Sequence, residues 1–343
     1  MSGQGLVLVT GVTGFIGAHV AVSLVQSGYA VRGTVRSMEK AEDLVRLNPE
    51  LKDKVEFVVV KDIVAPNAFD NAVKNCDYIC HVASPFFYEN LTDNKAQLLD
   101  PAYKGTMNIL EASCNEPKVK RVVITSSTVT ICDFNKEPYT GYRYTEKDWN
   151  PITYEDALTT KNGFSAYCAS KKFAEISARN FVKEKQPHFD MCTVNPALVV
   201  GPPIHPMNNM ESLNTSDRVI WSLINGSHSQ PSEQAIQVDV RDIARAHVIA
   251  LDKPELSNGR MIVSEGPLFT NDICKILRQK FPDMHEVISE PTDVPFNHEH
   301  YTVDNSYSKS LGMQYHSPEE TYVDTAMKLW ERAKEFALAT KSS

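Results

Sequence analysis

A tyrosine and a lysine four residues apart, with two serines earlier in the chain, form the clearest chemical set in this sequence. Tyr167 and Lys171 lie in the stretch YCASK, and Ser126 and Ser127 close an apolar segment well before it. On a helix, positions i and i+4 share a face. A phenol with a pKa near ~10 is a poor acid at neutral pH, and a neighbouring ammonium lowers that pKa. Because a serine hydroxyl can hold a carbonyl oxygen beside the phenol, the set predicts proton delivery to a carbonyl reduced by hydride.

A strand, a glycine-rich turn and a helix are predicted at the start of the chain. Residues 6–17 read LVLVTGVTGFIG, a G-x-x-G-x-x-G spacing rather than the commoner G-x-G-x-x-G. Glycine permits a sharp turn, leaves room for a phosphate and lets the helix pack closely on the strand. Unpaired N–H groups at the helix N-terminus attract a pyrophosphate. The segment therefore predicts a dinucleotide site formed by Gly11, Thr13, Gly14, Phe15, Ile16 and Gly17.

The residues after the second strand indicate which dinucleotide binds. An acidic side chain there would bind the ribose hydroxyls of NAD, but this chain has Arg36, Ser37 and, four residues after the arginine, Lys40. Two cations and a hydroxyl suit a ribose 2′-phosphate, so the sequence predicts NADPH as the cofactor. Arg32 could share the strand face of Arg36, or it could be a solvated surface charge.

Two further strand ends are expected to contact the cofactor. Asp62 and Ile63 close the third strand, where a side chain could reach the adenine, and an ordinary loop role for the aspartate is equally open. Small residues at Ala83 and Ser84 leave room for the cofactor after the fourth strand, and Pro85 fixes the turn.

Strand and helix patterns alternate along the first part of the chain. Strands are predicted at Leu6–Thr10, Ala30–Val35, Val55–Val60, Tyr78–Ala83, Arg121–Thr125 and Asp190–Val194. After the first helix, others are predicted at Met38–Leu47, Asn67–Lys74, Lys95–Ser113 and Phe164–Glu184. Near-continuous apolar strands that alternate with helices predict a parallel sheet covered on both faces. Right-handed crossovers then give an α/β fold with a Rossmann-type doubly wound sheet.

The composition changes after Asn195, where prolines, asparagines and serines become frequent. A strand and a helix are predicted within Val238–Leu251, the latter capped with the help of Asp242. The other predicted elements are helices near Ser216–Ile224, Asn271–Phe281 and Pro318–Leu338, and a strand at Arg260–Val263. We predict an NADPH-binding domain at residues 1–200, which also receives 236–255. A smaller, discontinuous C-terminal substrate lobe would comprise 201–235 and 256–343.

Composition argues against several classes of function. The 343 residues carry a net charge of −8, which disfavours nucleic acid and anionic membranes as partners. No apolar run approaches the ~18 residues of a membrane span, and the first strand begins too early for a secretory signal. The seven cysteines lack C-x-x-C spacing, so we expect reduced thiols and a cytoplasmic location. The sequence contains no cluster of Cys and His residues, so we predict no metal site.

Four motifs in order resemble one enzyme family. TGVTGFIG, TSS, YCASK and NPALVVGP together resemble the extended short-chain dehydrogenase/reductases. Within them the chain resembles the dihydroflavonol reductase-like branch, and most of all fungal NADPH-dependent methylglyoxal, isovaleraldehyde and carbonyl reductases. The resemblance implies that Ser127 orients the carbonyl and Tyr167 gives the proton, while Lys171 binds the nicotinamide ribose and tunes the tyrosine. Ser126 could take the serine's role instead.

The same resemblance implies further contacts. The residues that would line the nicotinamide are Pro196, Ala197, Leu198 and Val199, and Ser216 would also touch the cofactor. Plant dihydroflavonol reductases typically carry an asparagine where this chain has Cys132, which argues against a flavonoid substrate. The expected substrate pocket is formed by Phe86, Thr128, Cys132 and Leu198. The last three are smaller than the aromatics of related ketone reductases, which predicts room for bulky carbonyls.

The sequence leaves two other functions open. One is a sugar-nucleotide epimerase or dehydratase that retains NAD, against which Arg36 argues. The other is a non-catalytic dinucleotide-sensing regulator, against which the intact pair of Tyr167 and Lys171 argues. The favoured prediction is a monomeric or homodimeric NADPH-dependent reductase of small-molecule aldehydes and ketones.

Overall fold

Seven parallel strands form the main sheet of the computed structural model, which describes residues 4–84, 91–134, 141–231, 234–294 and 299–342. The strands, in chain order, are β1 Leu6–Thr10, β2 Ala30–Val35, β3 Val55–Val59, β4 Tyr78–His81, β5 Arg121–Thr125, β6 Arg143–Tyr144, β7 Asp190–Pro196, β8 Leu198–Val200, β9 Gln234–Asp239, β10 Arg260–Val263, β11 Gly266–Phe269 and β12 Thr302–Val303. The α-helices are α1 Phe15–Gln26, α2 Met38–Leu47, α3 Asp100–Cys114, α4 Tyr154–Thr159, α5 Gly163–Lys185, α6 Thr215–Ile224, α7 Val240–Asp252, α8 Thr270–Lys280, α9 Ser306–Ser310 and α10 Pro318–Ser342.

The strand order places β1 next to the point where the sheet reverses its winding. From edge to edge the order is β10, β7, β5, β4, β1, β2 and β3. The neighbouring strands are parallel throughout. In such a sheet a crevice opens at the carboxyl ends of the strands where winding reverses, here β1 and β4. The predicted Rossmann-type α/β fold is confirmed.

Helices cover both faces of this sheet because its strands are apolar on both sides. In β1, Val7 and Val9 belong to one core cluster and Leu8 to another, as the two-residue period of a strand requires. Helices α1 and α7 contribute to the first cluster. Helices α3 and α5 contribute Ile109 and Phe181 to the second. The strands are therefore held between two helical layers, which fixes where their carboxyl ends lie.

The elements after β7 form a second group. Strands β8, β9 and β11 make a small sheet, and α6, α8 and α10 share an apolar core that includes Ile220, Leu277 and Tyr322. Strand β10, which the sequence assigned to the substrate lobe at 256–343, pairs instead with β7 as the edge strand of the large sheet. The pairing buries all four of its residues and places Met261, Ile262 and Val263 in the first core cluster. The division into an NADPH-binding domain and a substrate lobe stays a prediction.

Two helix predictions differ from the structure. The helix predicted at Asn67–Lys74 is wrong: the segment is a series of turns. Asn67 and Asn75 adopt left-handed backbone angles, with φ of 60° and 62°, which interrupt a right-handed helix. Helix α4 was not predicted, although Thr153 and Asp156 form a capping box at its start.

Helix α7 is capped by Asp239 and not by Asp242. The Asp239 carboxylate accepts a hydrogen bond from the backbone N–H of Arg241 at 2.7 Å. Asp242 lies one turn further on, and its carboxylate accepts instead from the backbone N–H of His316 at 3.0 Å. The side chain of His316 is 2.6 Å from the same carboxylate, which raises the pKa of the histidine. Asp242 therefore ties α7 to the segment before α10.

Candidate active site

The glycine-rich loop is shaped by close backbone approaches. A Cβ at Gly17 would lie 2.3 Å from the carbonyl oxygen of Gly11, so only glycine lets α1 pack against the loop. Gly11 has a φ of 67°, and a Cβ there would also press on Ala83 at 3.1 Å. Sequence reasoning missed Gly33 on β2, where a Cβ would lie 2.5 Å from the side chain of Val12. The missing side chain at Gly33 thus leaves room for Val12 of the loop.

The first turn of α1 leaves backbone donors available. Gly14 is the exposed N-cap residue, and the first helical hydrogen bond runs from Ala18 N–H to its carbonyl at 2.9 Å. The N–H groups of the first turn precede that bond and have no helical acceptor. They belong to Phe15, Ile16 and Gly17. With half-buried Thr13 before them, they form a cradle for an anion beside β1.

The cations predicted to bind a ribose phosphate differ in their surroundings. Arg36 is exposed, and its guanidinium has no hydrogen bond or ion pair within the part of the chain that the structure describes. Lys40 donates to the side chain of Asn208 at 2.7 Å. Ser37 is the N-cap residue of α2 but makes no capping bond. Arg32 is an ion-pair partner of Glu56 and donates to the carbonyl oxygens of Ala72 and Lys74, so its guanidinium is already occupied by protein groups.

The residues after β3 and β4 lie at the same carboxyl edge of the sheet as the glycine-rich loop. The Asp62 side chain accepts from the backbone N–H of Val64 at 3.0 Å, and Ile63 packs in the second core cluster. The backbone N–H of Ala83 donates to Thr10 Oγ1 at 3.0 Å, which holds the residues after β4 against β1. Ser84 is half-buried. The predicted cofactor contact Pro85 and pocket residue Phe86 lie outside the described residues.

Helix α5 presents Tyr167 and Lys171 to the carboxyl end of β5. Tyr167 is 6% exposed and packs with Leu98 and Val129. Lys171 is 9% exposed, and its ammonium donates to the carbonyl oxygen of Thr125, the last residue of β5, at 3.3 Å. Burial lowers the pKa of Lys171 to about 8, against the opposing effect of nearby Glu175. The structure thus brings the predicted pair to the strand end that carries the two serines.

The two serines at this strand end have different partners. Ser126 donates its hydroxyl proton to the Glu175 carboxylate at 2.5 Å. Ser127 begins a short 3₁₀ turn over Thr128–Thr130, and its oxygen accepts from Val129 N–H at 3.2 Å. Its hydroxyl lies 3.5 Å from the Pro196 carbonyl oxygen, at the long limit of a hydrogen bond. The hydroxyl proton of Ser126 is committed, whereas that of Ser127 is held weakly.

The segment after β7 runs beside this site. Pro196 ends β7 opposite Val263, and the Ala197 N–H donates to the Val263 carbonyl at 3.1 Å. In β8, Leu198 is 38% exposed. Ser216 donates its hydroxyl to the carbonyl of Val199 at 2.5 Å, so it supports this strand from α6. The Ser216 hydroxyl, which was predicted to touch the cofactor, is therefore hydrogen-bonded to the backbone.

The other predicted pocket residues are buried. Thr128 is 3% exposed and Cys132 has no exposed surface. Burial raises the pKa of the Cys132 thiol. Cys132 belongs to the first core cluster, which also contains Tyr144 and is packed on by Tyr301. Among the four predicted pocket residues, Leu198 alone is both described and exposed to solvent.

A buried polar network behind the site was missed by sequence reasoning. Glu175, four residues after Lys171, forms ion pairs with Arg260 at 2.8 Å and Arg179 at 3.1 Å. Arg260 also stacks on Trp149, with its guanidinium 3.9 Å from the ring centre. The i+4 spacing in YCASKKFAE was a signal that Glu175 shares the face of Tyr167 and Lys171. Its partner Arg179 follows it by four residues on α5, whereas Arg260 comes from β10 and could not be identified from spacing.

Two general expectations concern membranes and metals. In the described ranges, no helix has the length and apolar character needed to cross a bilayer. Across those same residues, no three His, Cys, Asp or Glu side chains are grouped so that they could hold a metal ion. The seven cysteines are free thiols, six of them buried.

Comparison with known proteins decides the family. A family model described as the NAD dependent epimerase/dehydratase family matches residues 7–263. The chain belongs to this family. The epimerase/dehydratase match begins in β1 and ends with β10, so it spans the strands of the large sheet. The resemblance predicted from four motifs is confirmed at the level of the family.

Three proteins similar to this chain come from fungi. A Schizosaccharomyces pombe protein described as an uncharacterized oxidoreductase is 62% identical over 336 residues, covering 98% of this chain and 100% of that protein. The ketoreductase azaE of Aspergillus niger is 36% identical, covering 95% and 98%. A solved structure, yeast methylglyoxal/isovaleraldehyde reductase Gre2 complexed with NADPH, is 34% identical with a TM-score of 0.87, covering 95% and 98%.

Proposed function

We propose that this protein reduces aldehydes and ketones to alcohols with NADPH. The observation that carries the proposal is the burial of Tyr167 and Lys171 against the carboxyl end of β5, beside the crevice at the glycine-rich loop. The names of similar proteins support it, since they include a ketoreductase and a reductase solved with NADPH. Carbonyl reduction as a reaction class is supported both by the geometry of the site and by the similar proteins.

The residues around the crevice fit a dinucleotide. The first-turn N–H groups of α1 have no helical acceptor, and exposed Gly14 before them has no side chain to keep a pyrophosphate from the backbone. We propose that the pyrophosphate is held by Gly11, Thr13, Gly14, Phe15, Ile16 and Gly17. The adenosine half would be held by Arg36, Ser37, Lys40, Asp62, Ile63, Ala83 and Ser84. The nicotinamide half would lie along Pro196, Ala197, Leu198 and Val199, with Ser216 supporting that strand. When bound, NADPH supplies the hydride from its nicotinamide ring.

Arg36 supports a phosphorylated cofactor even though the family carries NAD in its name. An exposed guanidinium without a partner in the described chain has its donors free for a phosphate. Lys40 adds a second cation, placed by its bond to Asn208. An acidic residue, which would favour the ribose hydroxyls of NAD, is absent from the end of β2 at Thr34–Ser37.

We assign one role to each residue of the catalytic set. The hydroxyl of Ser127, held only by long hydrogen bonds, turns to donate to the substrate's carbonyl oxygen. The phenol of Tyr167 gives its proton to that oxygen as the carbonyl carbon is reduced, and it regains a proton from solvent. The ammonium of Lys171 stabilises the phenolate and holds the nicotinamide ribose. Ser126 is left out, because its proton belongs to Glu175.

The substrate class is proposed from the apolar surface beside this set. Leu198 would supply an exposed apolar wall, since it follows by two residues Pro196, whose carbonyl oxygen lies 3.5 Å from the Ser127 hydroxyl. Thr128 and Cys132, which are buried, would shape the pocket from behind, and Phe86 is proposed to complete it. An apolar cavity with few convergent polar groups suits aryl ketones and α-ketoesters better than small polar aldehydes.

A screen of NADPH oxidation tests the proposal. The purified protein is given aldehydes, α-ketoesters and aryl ketones in turn, with NADH in parallel and Tyr167→Phe as the matched control. We expect carbonyl-dependent loss of NADPH absorbance in the unmodified protein alone. Tight NADP⁺ binding without turnover of any carbonyl would contradict the proposal and favour a sensing role. Tightly retained NAD after purification would favour an epimerase or dehydratase.

A further inference from the structure

Glu175 lies on the reactive face of α5 although it cannot reach a substrate. It follows Tyr167 by eight residues and Lys171 by four, so the three side chains lie on one face of the helix. Its side chain is 1% exposed. An isolated carboxylate at such a site would be strongly destabilising, so its partners must compensate the charge.

The two carboxylate oxygens of Glu175 face different groups. Oε1 lies towards the arginines, with ion pairs to Arg260 and Arg179. Oε2 accepts from Ser126 Oγ at 2.5 Å, and from Asn195 Nδ2 and Thr130 Oγ1 at 3.0 Å each. The carboxylate thus joins a pair of cations on one side to the carboxyl ends of β5 and β7 on the other.

The groups on Oε2 surround Ser127. Ser126 precedes it, and Thr130 ends the 3₁₀ turn that it begins. Thr130 Oγ1 also lies 2.9 Å from the backbone carbonyl of Ser127, and Asn195 Nδ2 donates to the same carbonyl at 3.3 Å. Each of these partners is shared between Glu175 and the Ser127 turn. The position of the Ser127 hydroxyl therefore depends on a carboxylate that it does not touch.

The charge of Glu175 also acts on Lys171. The ammonium is buried, and charged or titratable groups face it from two elements: Glu175 on α5 itself and His81 on β4. His81 is buried with its Nδ1 3.0 Å from Thr10 Oγ1, and burial lowers its pKa to about 3, so it is neutral. Glu175 is thus the negative charge that opposes the deprotonation of Lys171.

We propose that Glu175 is a positioning residue, whose buried carboxylate fixes the Ser126–Thr130 turn and places a negative charge one helical turn from Lys171. The inference rests on the proposed reductase function, because it assigns Ser127 and Lys171 their roles. Arg260 and Arg179 hold the carboxylate in its ionised form. Their positive charge is the reason a buried acid can serve here without taking up a proton.

The first test compares Glu175→Gln with Glu175→Asp in the full-length protein. The amide keeps the shape and removes the charge, so the Lys171 pKa falls and the ammonium is lost at lower pH. We expect kcat to drop about tenfold or more, with KM for the carbonyl changed little. In a plot of kcat against pH, the alkaline limb should move down by about one pH unit. Glu175→Asp keeps the negative charge and should return the alkaline limb to the pH at which it lies in the unmodified protein. A merely structural role would lower the melting temperature and leave the limb unmoved.

A second pair of variants covers the case in which Glu175→Gln fails to fold. Ser126→Ala removes one donor to Oε2 and keeps the charge, so kcat should fall several-fold with the limb in place. The control is Ser113→Ala, a buried hydroxyl bonded to the Ile109 carbonyl within α3, which should leave kcat unchanged. Wild-type kcat in Ser126→Ala, or an unmoved limb in folded Glu175→Gln, would overturn the proposal.

A direct titration separates this proposal from the proposed function. Lysines labelled with ¹³C at Cε are titrated by NMR without cofactor, and the Lys171 signal is the one missing from Lys171→Arg. We expect a lower midpoint for Lys171 in Glu175→Gln than in the unmodified protein. The titration does not depend on turnover. If no carbonyl is reduced, the reductase function is contradicted, but the measured effect of Glu175 on the Lys171 pKa is not. An equal midpoint in the two proteins would refute the electrostatic role of Glu175 whatever the activity.

Discussion

The two halves of the candidate site are built in different ways. The cofactor side, from the glycine-rich loop to Arg36, consists of backbone groups and exposed cations with few internal partners. The carbonyl side, around Ser127 and Lys171, is buried and backed by a hydrogen-bonded network centred on Glu175. A ligand can complete the first half, whereas the second is already completed by the protein. Changes on the cofactor side should therefore alter binding, and changes on the carbonyl side should alter turnover.

The largest effect should come from Tyr167→Phe on the carbonyl side. The change removes the proton donor and keeps the ring that packs on Leu98 and Val129. We expect kcat to fall ~10²–10⁴-fold while NADPH affinity is kept. Steady-state kinetics and a fluorescence titration with NADPH measure the two quantities. Turnover near that of the unmodified protein would remove Tyr167 from its role and erase the contrast between the halves.

Gly17→Ala should give the next largest effect, on the cofactor side. The new Cβ would meet the Gly11 carbonyl oxygen at 2.3 Å, so α1 and the loop must separate. We expect NADPH affinity to fall by about a hundredfold or more and the free energy of unfolding by ~1–3 kcal/mol. Gln26→Ala, exposed at the end of the same helix, is the control. Unchanged affinity would mean that the loop does not hold the cofactor.

Arg36→Ala should weaken NADPH binding without affecting NADH. Charge-assisted hydrogen bonds of this kind contribute ~1.5–3 kcal/mol, so NADPH affinity should fall about tenfold or more. The matched control is Arg46→Ala, an exposed arginine on α2 whose partner is Asp43. Equal use of NADPH and NADH by the unmodified protein would contradict the assignment. Calorimetric titration of both cofactors into both variants decides it.

The same contrast explains what could be read from the sequence. Glycine spacing, apolar strand runs and the Tyr167–Lys171 interval are local patterns, and they predicted the parallel sheet and the bounds of α2 and α5 to within one residue. The network of Glu175, Asn195 and Arg260 joins residues far apart in sequence, and no spacing rule links them. The same limit applies to β10: a short apolar strand carries no sign of which sheet it will join. Left-handed asparagines likewise flank the segment 67–74, where the local pattern favoured a helix and the structure has turns.

The smallest effect should separate the two walls of the substrate pocket. Leu198 is exposed, whereas Cys132 is fully buried, so the same enlargement should act differently at each position. Leu198→Phe should lower kcat/KM for an aryl ketone several-fold relative to methylglyoxal, because the larger ring occupies space that the bulky substrate needs. Cys132→Phe should chiefly overpack the core and lower the free energy of unfolding by ~1–3 kcal/mol.

Kinetics on both substrates and thermal melts of both variants test the assignment of these walls. If Cys132→Phe folds normally and shifts the substrate ratio, Cys132 faces the substrate after all. The carbonyl side would then be open where the structure buries it. If Leu198→Phe leaves the ratio unchanged, the exposed leucine contacts neither substrate, and the pocket lies on the other side of Ser127.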